Sequence, residues 1–78
     1  MRTINVIEII NNKVVSIKSF NIFNEEDSQK IIKKTENYFL KLIRYNEAFV
    51  PKEDKERYLK DRYYEDRGYC VSIVWSEN

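Results

Sequence analysis

The chain has 78 residues, a formal net charge of +1, 35% charged residues, one cysteine and no histidine. Such a length is too short for two domains and buries only about 60–65% of the unfolded surface, so the expected core is thin. Cys70 alone excludes an internal disulfide, and one thiolate without histidine argues against zinc, which leaves self-association or a permanent partner as the staple a small scaffold needs.

The balanced charge is neither a nucleic-acid signature nor that of an acidic mimic. Met1–Asn12 holds one basic residue, Glu8 and three asparagines. It does not read as a signal peptide, and no apolar run approaches the roughly 20 residues that span a bilayer. The expectation is a cytoplasmic protein without membrane contact, one small α+β domain over residues 1–78.

Thr3–Ile10 and Lys13–Phe20 are rich in β-branched residues, and Asn11-Asn12 between them tolerates the positive φ of a tight turn. A β-hairpin follows. With a two-residue turn, Val6 faces Ile17 and Glu8 faces Val15. Asn24 then opens a helix, with Asp27 three residues on and Glu25 and Glu26 suited to the positive helix end. At about 100° per residue, Ile31, Ile32, Thr35, Tyr38, Phe39, Leu42, Ile43 and Tyr45 form one broad apolar stripe. The helix should run to about Asn46, bounded by Pro51.

Lys52–Arg67 carries six basic and six acidic residues. Pairs such as Glu53–Arg57, Glu56–Lys60 and Arg62–Asp66 favour a second helix starting at Pro51. The rival is a strand at Tyr58–Tyr64 with a hairpin loop through Gly68. Tyr69–Trp75 closes the chain as a strand, with Tyr69, Val71, Ile73 and Trp75 on one face and Cys70 and Val74 on the other. The predicted fold is α+β, a small antiparallel or mixed sheet in the order ββααβ, or ββα followed by a hairpin.

Four constellations carry functional content. First, the strands are apolar on both faces: Ile4, Val6 and Ile10 on one side of the first, Ile7 and Ile9 on the other. A sheet solvated on one side should alternate cleanly. One long helix covers one face, so the other needs the charged segment, a second subunit or a target. Second, Lys30, Lys33, Lys34, Lys41 and Arg44 share an arc of about 100° opposite the apolar stripe, suited to phosphates or an acidic protein and equally to a plain solvated face. Leu40 among them has no evident partner within the chain.

Third, Arg57, Tyr58, Arg62, Tyr63, Tyr64 and Arg67 interleave tyrosine with arginine, the chemistry of interface hot spots. Fourth, catalysis is poorly supported. Histidine is absent, Cys70 sits in an apolar strand, and no glycine-rich phosphate loop, P-loop or nucleophile elbow is present. Glu8 between two isoleucines is a carboxylate open to desolvation. A small histidine-free ribonuclease toxin would use Lys60, Arg62, Tyr63 and Tyr64, without any motif specific to that class.

The leading expectation is a non-enzymatic protein-binding module without cofactor or metal, self-associating as a homodimer. Its size, and a residue usage rich in Ile, Asn, Lys, Glu and Tyr of the kind an AT-rich genome encodes, suit an inhibitor of a host system carried by a phage or other mobile element. A nucleic-acid binder using the basic helix face is the second reading.

Overall fold

Asn11 and Asn12 both take positive φ, 49° and 69°. That pair of left-handed residues makes the two-residue turn whose twist matches a right-handed hairpin. In this computed structural model, which describes residues 1–77, the turn joins β1 (Arg2–Ile10) to β2 (Lys13–Ile22). A single 3-10 turn (Glu25–Asp27), α1 (Ser28–Asn46), α2 (Lys52–Asp61), β3 (Tyr63–Asp66) and β4 (Tyr69–Glu77) follow. The sheet order is β2-β1-β4-β3, every neighbouring pair antiparallel. The fold is the expected small α+β arrangement, with six main elements rather than five.

The hairpin turn is as expected, but the register beyond it is not. Ile10 pairs with Lys13 and Ile9 with Val14; then the register shifts between Glu8 and Ile9, so that Glu8 pairs with Ser16, Ile7 with Ile17 and Val6 with Lys18. The anticipated pairs Val6–Ile17 and Glu8–Val15 are therefore each displaced by one. The cause is a β-bulge that absorbs one extra residue of β2. Because side chains alternate with period two, the slip moves Ile17 to the opposite face from Val6.

Both expectations for Lys52–Arg67 are partly realised. α2 ends at Asp61, where Arg62 enters the left-handed region (φ 55°) and its N–H bonds back to the Tyr58 carbonyl. A left-handed residue after the last turn is the usual helix stop. It reverses the chain into β3, which pairs with β4 through a turn at Arg67 (φ 52°) and Gly68 (φ 81°). The two hairpin turns meet at one end of the sheet, where the Asn11 N–H donates to the Gly68 carbonyl at 2.9 Å.

α1 starts later than Asn24. That residue precedes the 3-10 turn without a side-chain cap, and Ser28 opens the helix proper, its hydroxyl donating to the Glu25 carbonyl at 2.8 Å. Thr35, Phe39, Leu42 and Ile43 of the expected stripe are buried, whereas Tyr45 is 75% exposed. Tyr45 lies about 120° around the helix from Phe39, beyond the sector that the sheet can cover. Leu40, expected to be a stray surface residue, is half-buried and packs against the core edge.

Both helices lie on the same side of the sheet. Leu59 of α2 lines a small cleft with Ile32 of α1 and with Ile4, Ile73 and Trp75 of the strands. Tyr58 meets Tyr64 edge-on at 5.0 Å between centroids. The helical part of the charged segment thus joins the helix layer, its β3 part extends the sheet, and the second face of the sheet is left uncovered among the described residues.

Candidate interaction surface

Alternation along the strands assigns the open face directly. It carries Thr3, Asn5, Ile7 and Ile9 of β1, Val14, Ile17, Ser19 and Asn21 of β2, Tyr63 and Glu65 of β3, and Cys70, Ser72, Val74 and Ser76 of β4. Two rows run across the apolar end: Val14–Ile9–Cys70–Glu65 and Ile17–Ile7–Ser72–Tyr63. Ile17 is 60% exposed and Val14 58%. Beyond them the face turns polar, with the Ser19 hydroxyl donating to Asn5 Oδ1 at 2.7 Å and the Thr3 hydroxyl to Asn21 Oδ1 at 3.0 Å.

Glu65 is the one charged side chain that alternation places on this face, in a chain of 35% charged residues. Its carboxylate accepts a hydrogen bond from the Tyr63 hydroxyl at 2.8 Å. That bond, with a smaller contribution from the Cys70 side chain, holds the Tyr63 phenol well above its ordinary pKa. Ile7, Ile9, Cys70 and Val74 were assignable to this face from sequence. Ile17 was not, because only the bulge puts it there.

The tyrosine-arginine constellation does not form one surface. Tyr64 is 2% exposed on the helix side, its hydroxyl donating to Glu47 Oε1 at 2.8 Å and accepting from Asn46 Nδ2 at 2.9 Å. Burial pushes its pKa up to about 12. Tyr64 is therefore core, with no free face for a partner. Tyr63, its neighbour in sequence, points to the open face. Tyr58 is half-buried against Tyr64, and the Arg57 guanidinium lies 5.1 Å from the Tyr58 ring centre and 3.3 Å from Asp54. Arg62 reaches over Trp75 at 5.7 Å, and Arg67 projects from the β3–β4 turn. Lys60, Arg62, Tyr63 and Tyr64 are not brought to a common point, so the geometry assembles no ribonuclease site from them.

The five cations of the basic stripe lie on α1. Lys30, Lys33, Lys34, Lys41 and Arg44 are all exposed, and none belongs to the ion pairs found among the described residues. Near its C-terminal end two large aromatics stand out, Tyr45 and the 77% exposed Phe49, and the Lys41 ammonium lies 5.9 Å from the Tyr45 ring centre. Sequence reasoning did not single out Phe49. The signal was available in its place just before Val50-Pro51, where Val50 is buried and its neighbour is turned outward.

No match was found to any protein-family model, curated protein or solved structure. Glu8 lies on the helix side and accepts a hydrogen bond from the Tyr69 hydroxyl at 2.7 Å. Burial, reinforced by that carboxylate, raises the Tyr69 pKa. The cleft beneath Trp75 has a volume of about 50 Å³, and larger open hollows of about 480 and 500 Å³ lie beside the hairpin turns near Tyr63 and Cys70 and beside Lys41 and Tyr45. Among the described residues no cluster of three or more acidic or thiol side chains could hold a metal, and no helix is long and apolar enough to cross a membrane.

Proposed function

We propose that this chain is a non-enzymatic protein-binding module that works by burying the open face of its sheet against another protein chain. The observation that carries the reading is the contrast between that face and the rest of the surface. Its apolar end offers Ile7, Ile9, Val14 and Ile17 with a single carboxylate nearby. Antiparallel sheets that face water normally show a polar outer side, and a contiguous apolar patch marks a contact surface. An inhibitor of a host system, carried by a phage or other mobile element, would act through a contact of this kind.

A photo-crosslinking residue placed at Ile17 or at Val74 tests the reading in cells that make the protein. Covalent protein adducts are expected from both open-face positions and not from Glu53 on the exposed side of α2. Equal labelling from all three positions, or none from Ile17 and Val74, removes the proposal.

The unpaired basic face of α1 supports a second reading, nucleic-acid binding. It predicts affinity for single- or double-stranded probes that falls by about 0.7–0.9 logarithmic units per tenfold rise in salt for each phosphate contact. Lys33→Glu with Lys41→Glu should abolish that binding. Salt-independent retention, or no retention, rejects it.

A further inference from the structure

Resting on the reading above, we propose that the chain covering the open face is a second copy of this protein. The two sheets pack face to face about a twofold axis, with the helix layers outermost.

The first argument is composition. Transient partners usually meet surfaces enriched in tyrosine, tryptophan and arginine, whereas permanent homodimer interfaces resemble a domain core cut in half. The apolar end of the open face is of the second kind, with Ile7, Ile9, Val14 and Ile17 and Tyr63 as its one aromatic, and the polar end with Thr3, Asn5, Ser19 and Asn21 would form its rim. The second argument is symmetry. A twofold interface sets the same patch against itself, so a charge near the axis meets its own copy and a charge elsewhere is buried against whichever residue the axis brings opposite it. A face with only Glu65, placed on the edge strand β3 and bonded to Tyr63, meets itself without that conflict.

Area points the same way. A monomer of 9.5 kDa is expected to expose about 5,000 Å², and this chain exposes 5675 Å². Three strands of nine or ten residues and the four-residue β3 present a face of about 500 Å² per copy. Two such faces remove about 1,000 Å², the lower bound for a specific interface. Shape agrees as well. The molecule is a plate of 37 × 29 × 17 Å with a radius of gyration of 12.7 Å, against about 11.5 Å for a globule of this length. Stacking two plates on their bare faces restores a globular outline.

Pairing through the edge strand is the competing dimer geometry, and β2 is built against it. Its ladder is interrupted by the bulge, and it carries Lys13 and Lys18. Both devices guard exposed edges in natural sheets.

Light scattering across a wide concentration range, with circular dichroism as a fold control, tests the proposal. The parent should weigh 19 kDa, twice the 9.5 kDa of one chain. Ile17→Lys should weaken the dimer at least about 100-fold, giving the monomer mass with an unchanged spectrum. Val74→Lys, at the other end of the face, should act in the same direction and serves if Ile17→Lys fails to fold. A dimer insensitive to both changes overturns the face-to-face geometry. A parent that stays monomeric while crosslinking from position 17 to a chain of different mass overturns the second copy and keeps the binding reading. A monomer that gives no crosslink overturns both.

Discussion

Tyr63 and Tyr64 are adjacent in sequence and opposite in the fold, so replacing each by alanine should have very different effects. Tyr64 is 2% exposed, meets Tyr58 edge-on at 5.0 Å and makes hydrogen bonds of 2.8 and 2.9 Å with Glu47 and Asn46. Removing a buried ring of this size costs about 3–5 kcal/mol, and the lost hydrogen bonds add about 1 kcal/mol or more. A chain of 78 residues has a total stability of about 4–12 kcal/mol. Tyr64→Ala should therefore leave the protein at the edge of unfolding. Tyr63 keeps one exposed bond to Glu65, and its loss from a monomer should cost at most about 1 kcal/mol. Urea titration followed by far-UV circular dichroism and by Trp75 fluorescence gives both numbers. A Tyr64→Ala midpoint close to the parent, or a Tyr63→Ala loss as large as that of Tyr64→Ala, would refute the packing argument. The contrast also governs how binding is tested, because a Tyr63 and Tyr64 double replacement reports on folding rather than contact.

Three further outcomes follow from local geometry. Gly68→Ala places a Cβ 2.7 Å from Asn11 Oδ1 at a φ of +81°, so a stability loss of about 1 kcal/mol or more is expected, and an unchanged melting temperature would contradict the turn geometry. Arg67 holds φ 52° with a weak 3.7 Å ion pair to Asp66, so Arg67→Asn should gain a few tenths to about 1 kcal/mol, and a loss in calorimetry would count against it. The Tyr64 phenol ionises near 10.0 when unfolded and is pushed up to about 12 when folded. Its contribution is therefore whole below pH 10 and is lost as pH rises from 10 through 12, a decline on the order of 1–2 kcal/mol with allowance for solvent screening. Tyr64→Phe should flatten that part of the alkaline limb, and an identical limb in parent and variant would show that another group controls it.

The sequence determined the parts that depend on nearest neighbours. Paired asparagines accept the left-handed backbone of a tight turn, so the first hairpin was legible. A 3.6-residue period marked Thr35, Phe39, Leu42 and Ile43 as the buried side of α1, and the five cations opposite them as exposed. Apolar residues on both sides of β1 and β4 already signalled a face in need of cover. Tertiary structure decided the rest. One bulged residue in β2 sent Ile17 to the open side, and a bulge leaves no mark in an alternating pattern that reads almost equally well in either register. Lys52–Arg67 satisfies helix and strand preferences alike. Its division at Arg62 arises because β3 must reach β4 while Tyr58 and Leu59 stay on the core, and that requirement exists only once the sheet has formed. The separation of Tyr63 from Tyr64 has the same origin, since a strand sends successive side chains to opposite faces and the sheet alone establishes which face is inside.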